Sequence, residues 1–218
     1  MLYIPKIIPV FPLPDLVFFP KTYLPLHIFE PRYRRMVMDA KSGDQMIGMV
    51  LLKEGWEEDY YQNPAIFPVG CVGRMIKVEP IEDGRFNIVL YGLKKFTIKD
   101  EFFDRSYRQA AIELIGPRTD APAMIGTELK ECLIQLLKEY GLLVKIEQQI
   151  ELLIKFHLDD EALVHTLSFA LNFTPLEKQF LLEAEDLGQQ GHRLADLIQF
   201  KIYEVRSGHR TPLPKKDS

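Results

Sequence analysis

The densest group of potential metal ligands in this 218-residue sequence is His157, Asp159, Asp160, Glu161 and His165. Its spacing is poor for a metal site. The two histidines are eight residues apart, which on a helix separates them by about 80° at about 100° per residue. The same carboxylates suit a structural role, because Asp159 or Asp160 can cap a helix and complement its dipole. That use is the expectation here, with no metal and no cofactor. Cys71 falls in a predicted strand, with no helix start and no nearby histidine to lower its pKa, so it reads as a buried structural thiol rather than a nucleophile. The five serines, Ser42, Ser106, Ser168, Ser207 and Ser218, lie in no nucleophile motif. The dipeptide Gly-Lys is absent, which excludes the phosphate-cradling loop of P-loop ATPases, and there is no H-E-x-x-H pair of zinc ligands.

The residues left for a binding role are arginines and aromatics. Arg32, Arg34 and Arg35 cluster in one segment; they either contact an anion or peptide carboxylate or pair locally with Glu30 and Asp39. Phe11, Phe18, Phe19, Phe29 and Tyr33 either line a groove for extended apolar peptides or fill a core. The single tryptophan, Trp56, sits in the acidic segment Lys53-Glu54-Gly55-Trp56-Glu57-Glu58-Asp59-Tyr60-Tyr61. Loops that carry aromatics are natural contact surfaces. The peptide-contacting set expected from these residues is Phe19, Tyr23, Arg32, Tyr33, Trp56, Tyr60 and Tyr61.

The elements that must position them come in two kinds. Through Gly116 the pattern has the period of β-strands. Phe86, Ile88 and Leu90 alternate with polar or opposite-face residues after the turn signal Asp83-Gly84. Gly92 is expected to end that strand, and Phe96 and Ile98 point inward from the next. Val72, Ile76 and Val78 should share a face, and 108–115 forms another strand. One helix interrupts, opened by Pro31 beside Glu30 and closed by Gly43, with Tyr33, Met36, Val37 and Ala40 on its apolar face.

After the breaker-rich stretch 116–120 the apolar period becomes 3.6 residues. A helix is expected from Pro122 to Gly141, with Cys132 on its apolar stripe. Others are expected over about 144–156, from 159 or 160 to 173, from the capping box Thr174-Pro175-Leu176-Glu177 to about Ala184, and over 190–206. The expected division is thus 1–116, 117–207 and a disordered tail at 208–218.

Composition narrows the partners. The net charge is −4, and the residues through Gly116 hold equal numbers of acids and bases, so general nucleic-acid binding is disfavoured. Two distant cysteines exclude a zinc framework and a disulfide scaffold and point to a reducing, cytoplasmic setting. The proline-broken start is no signal peptide, and no apolar run is long enough for a membrane span.

The segment Pro9-Val10-Phe11-Pro12-Leu13-Pro14-Asp15-Leu16-Val17-Phe18-Phe19-Pro20, continued by Leu24-Pro25-Leu26-His27-Ile28-Phe29-Glu30-Pro31-Arg32-Tyr33-Arg34, closely resembles the opening of the Lon protease amino-terminal domain. Val69-Gly70-Cys71-Val72-Gly73-Arg74 resembles that family's G-x-V-G-R strand, and 83–96 its next hairpin. The resemblance implies an α+β fold: a PUA-like β-barrel with one early helix, followed by a C-terminal helical bundle. It also implies a non-catalytic module that binds unfolded or flexible polypeptides, alone or as an adaptor to a protease or other quality-control protein. A Lon peptidase would need a serine–lysine pair in a domain beyond residue 218. The alternative implied by a PUA-like barrel is RNA binding, for which Lys94, Lys95, Lys99, Arg105 and Arg108 would supply a basic strip.

Overall fold

The computed structural model describes residues 3–60, 62–116, 124–156 and 158–208. The expectations for Tyr61, His157, residues 117–123 and the tail from 209 onward lie outside them. The described chain runs β1 (Ile7–Leu13), β2 (Tyr23–Ile28), α1 (Pro31–Ser42), β3 (Met46–Leu51), β4 (Val69–Pro80), β5 (Phe86–Phe102) and β6 (Gln109–Ile115). It continues as α2 (Thr127–Val144), α3 (Glu147–Lys155), α4 (Asp160–Ala170), α5 (Pro175–Leu182) and α6 (Leu187–Arg206). This is an α+β arrangement, a mixed six-stranded sheet with a C-terminal helical region.

The sheet closes on itself. β1 pairs parallel with β3 and antiparallel with β6, β3 with β4, β4 with β5, and β5 with β6, which completes a ring. β2 adds to the first half of β5. Among the described strands, closure leaves β2 with an unpaired edge, and Pro25 lies within it, as expected of an edge strand. β3 is buried at every position because it has apolar clusters on both faces. Ile47 and Met49 pack with Phe18, Leu90 and the apolar face of α1. Met46 and Val50 pack with Val10, Val72 and Phe96. Tyr33, Met36, Val37 and Ala40 form the buried face of α1, as the sequence predicts, and Gly43 is its C-cap.

Two strand expectations are corrected. β5 does not stop at Gly92 but continues to Phe102. Gly92 instead marks a close backbone approach: its N–H donates to Thr22 O, Lys21 N–H donates to Gly92 O, and a Cβ there would overlap the Phe19 carbonyl. In β4, Ile76 is 52% exposed and Met75 is buried. The register jumps from Met75 opposite Leu90 to Lys77 opposite Val89, so Ile76 is the extra residue of a bulge and the alternation shifts there.

The chain forms two compact units, Met1–Ala121 with His165–Glu185, and Pro122–Val164 with Asp186–Ser218. The described strands all precede Gly116 and α2 to α6 follow it, but residues 165–185 group with the strands. Polar contacts tie them there: Lys95 Nζ donates to Ala184 O, and Gln179 Nε2 donates to Val69 O. Phe169 packs against the cluster beneath α1. The expected capping box at Thr174 and Glu177 is present and starts α5.

In the second unit α2 begins at Thr127, not Pro122, and passes through Gly141 to a left-handed C-cap at Lys145. Gly141 is inside the helix because α3 comes close to it, with Ile150 Cγ1 only 3.1 Å from where a Cβ would stand. Cys132 is exposed rather than part of the apolar stripe, which runs through Leu133, Leu137 and Tyr140. No helix among the described residues is long and apolar enough to cross a membrane.

Candidate functional site

At one end of the barrel, three segments surround a cleft of about 260 Å³. They are the first turn of α1, the loop after β3, and the loop between β5 and β6. The loop after β3 is pinned at its ends by the Leu52–Ile66 bridge and by Lys53 N–H donating to Ala65 O. The cleft is lined by Arg32 and Tyr33 from α1, Tyr60, Gln62, Asn63 and Pro64 from the β3 loop, and residues 103 and 105–108.

Glu30 precedes α1 in an extended conformation, and its side chain makes no cap bond. It is used instead to organise the cleft wall. Arg32 Nε donates to Glu30 Oε2 at 3.0 Å, and the Tyr60 hydroxyl donates to Glu30 Oε1 at 2.5 Å. Arg32 Nη1 donates to Tyr60 O. The guanidinium lies over the Tyr33 ring at 4.7 Å and the Tyr60 ring at 4.8 Å, between two aromatic faces. Partial burial opposes the Arg32 charge, but Tyr33, Glu30 and Tyr60 outweigh it and raise the pKa. Burial pushes the Tyr33 hydroxyl up to about 12, with Glu30 adding to the shift and Arg32 opposing it. Burial and the bond to Glu30 raise the Tyr60 hydroxyl as well. Both tyrosines therefore stay neutral hydrogen-bonding groups near neutral pH.

The opposite wall hangs on Asp39, two turns further along α1. Its Oδ2 accepts from Arg105 Nη1 at 2.7 Å and from the Tyr107 hydroxyl at 2.9 Å, and its Oδ1 pairs with Arg35. Burial works against the Asp39 charge, but these hydrogen bonds and Arg35 prevail and lower its pKa. Beside it, Arg108 is only 7% exposed and donates from Nη2 to Pro64 O at 2.8 Å. Its Nη1 stands 3.3 Å from Glu101 Oε2 without the alignment of a hydrogen bond, and its Nε has no hydrogen-bond partner.

The structure sorts the expected contact residues. Arg32, Tyr33 and Tyr60 come together in the cleft wall. Trp56 packs edge-on against Tyr60 at 5.5 Å and rests partly buried on the barrel, which combines the loop and flap readings. Tyr23 is 60% exposed on β2, its ring tilted against that of Tyr91, and does not line the cleft. Phe19 is a correction: it is fully buried in the strap that crosses Gly92 and does not line the cleft. Of the other aromatics, Phe11, Phe18 and Tyr33 are buried, and Phe29 is exposed. Sequence reasoning passes over Phe103 and Tyr107, and it weighs Arg105 and Arg108 only as part of a basic strip. The signal is present in Asp104-Arg105-Ser106-Tyr107-Arg108, a short loop mixing arginine and tyrosine between two strands.

Among the described residues, the cleft offers cation, aromatic and amide groups. Ser106 lines it, yet no histidine or lysine among the described lining residues could take its proton. Of the five residues of the basic strip, Lys95 and Arg108 are buried, Lys94 is exposed, Lys99 pairs with Glu113, and Arg105 pairs with Asp39. Within the group of potential ligands, Asp159 and Asp160 have structural partners. Asp159 accepts from Ala162 N–H at the start of α4, and Asp160 accepts from Ile125 N–H and Lys130 Nζ. Cys71 is fully buried, and desolvation pushes its thiol pKa far up, as a structural cysteine requires.

Comparison with known proteins gives a consistent answer. Residues 7–199 match the family model described as the ATP-dependent protease La (LON) substrate-binding domain. The Lon protease of Cytophaga hutchinsonii is 28% identical over 204 residues, covering 91% of this chain and 24% of that protein. The Lon protease of Aquifex aeolicus is also 28% identical, covering 89% of this chain and 25% of the relative. The chain thus spans about a quarter of the length of these relatives. The fold is shared with the Lon N-terminal domain protein from Xanthomonas campestris, at TM-score 0.64 and 19% identity, over 89% of this chain and 98% of that one. It is also shared with the N-terminal domain of Mycobacterium avium complex Lon protease, at TM-score 0.65, 18% identity and the same coverage.

Proposed function

The chain belongs to the LON substrate-binding domain family, and from that membership we propose that it is a non-catalytic polypeptide-binding module that holds unfolded or flexible protein segments in the cleft beside α1. The observation that carries this reading is the Arg32 guanidinium fixed between Tyr33 and Tyr60, with Tyr60 locked by Glu30. These groups are already in contact with one another in the free chain. The wall offers aromatic surface beside a positive charge without demanding a particular side chain. Its ligand has to lose conformational freedom on binding, so affinity should be weak for a single segment. A substrate held this way would be passed to a protease or other quality-control protein. We place that work in the cytoplasm, where the free thiols Cys71 and Cys132 would stay reduced.

The test is a titration of a fluorescently labelled, permanently unfolded polypeptide with the protein, without nucleotide, read by anisotropy. Binding in the micromolar range is expected. Tyr60→Ala should weaken it by about fivefold, the effect of losing more than about 1 kcal/mol at one contact residue. No binding up to high micromolar concentration would remove the reading.

A further inference from the structure

Three arginines, Arg32, Arg105 and Arg108, line the cleft, and no carboxylate among the described residues lines it with them. Their acidic partners Glu30 and Asp39 stand outside the lining. Glu101 faces a neighbouring shallow cleft instead. Arg32 and Arg105 are well served by those partners. Arg108 is not. A guanidinium carries five N–H donors in one plane, and leaving such donors buried without acceptors is costly. Arg108 is more than nine-tenths buried, yet its Nε and Nη1 have no hydrogen-bond partner.

One ring stands over this guanidinium. Phe103 lies over the Arg108 guanidinium at 5.4 Å, lines the same cleft and is 48% exposed. A half-exposed side chain at the end of β5 can swing aside and open the donors to the cleft. The two arginines on this side then face the same space from one short loop, with Gln62, Asn63 and Ser106 adding neutral polar groups. The chemistry that fits paired guanidinium donors is a carboxylate, bound through parallel hydrogen bonds.

We propose that Arg108, with Arg105 beside it, binds a carboxylate of the flexible polypeptide held in this cleft. That carboxylate is supplied either by the C-terminus of the chain or by an aspartate or glutamate side chain. This rests on the reading of the cleft as a polypeptide site and adds the chemical class it selects.

The experiment uses the full chain and three versions of one short apolar peptide: a free C-terminal acid, a C-terminal amide, and an amide with one internal glutamate. A carboxylate-bearing version should bind at least about tenfold more tightly than the plain amide. Tighter binding of the free acid assigns the terminus as the source, and tighter binding of the glutamate amide assigns the side chain. In Arg108→Gln the preference should vanish. Arg105→Gln changes a half-exposed residue and carries the test if thermal melting shows that Arg108→Gln does not fold; the preference should then fall severalfold. Equal binding of all three peptides overturns carboxylate selection and leaves polypeptide binding standing. If none of the three binds, both readings fall.

Discussion

Asp39 joins α1 to the loop between β5 and β6 through Arg105 and Tyr107, and it pairs with Arg35 on its own helix. Its pKa is lowered in the folded chain, so its contribution to stability is complete above the unfolded aspartate value of about 3.9. That contribution is lost as pH falls through the lower folded value. Urea unfolding should therefore find Asp39→Asn less stable than the parent at pH 6, with the gap narrowing at pH 3. A constant gap would mean that the carboxylate charge is not what holds the loop. Tyr60→Phe removes one hydrogen bond to Glu30 while keeping the ring over Arg32. It should cost about 1 kcal/mol in the same assay. Single residues are partly legible in the sequence. The pairs Arg32–Glu30 and Arg35–Asp39 can be foreseen because they are local. The convergence of residues 32, 60 and 105–108 cannot, because it joins segments that only barrel closure brings together.

Among the elements, α1 and α5 are readable almost residue by residue, because proline at the first helical turn, the capping box and the apolar spacing are all local signals. β4 and β5 are harder. A bulge at Ile76 inverts the expected faces, and Gly92 serves a backbone crossing rather than a strand end. Both depend on what lies across the sheet, which one strand's alternation cannot encode. Gly92→Ala should destabilise the fold by about 1–3 kcal/mol in urea unfolding, because the added methyl meets the Phe19 carbonyl rather than a yielding side chain. Thr174→Ala should cost about 0.5–2 kcal/mol by removing the capping box of α5. If Gly92→Ala were neutral, the close approach of the strap would be wrong.

Across the molecule, the family match over 7–199 runs through the strands and most of the helices. The ordered motifs from Pro9 to Phe96 make that membership visible in the sequence. The grouping of residues 165–185 with the strands is not visible there, because it rests on Lys95–Ala184 and Gln179–Val69, contacts between residues far apart in the chain. Whether flexible polypeptide is held in the cleft at the end of the barrel can be read by amide hydrogen exchange over the full chain, with and without a saturating unfolded polypeptide. Slower exchange should appear at the start of α1, in the loop after β3 and in residues 103–108. Exchange unchanged in all three segments while polypeptide is bound would rule the cleft out as its site.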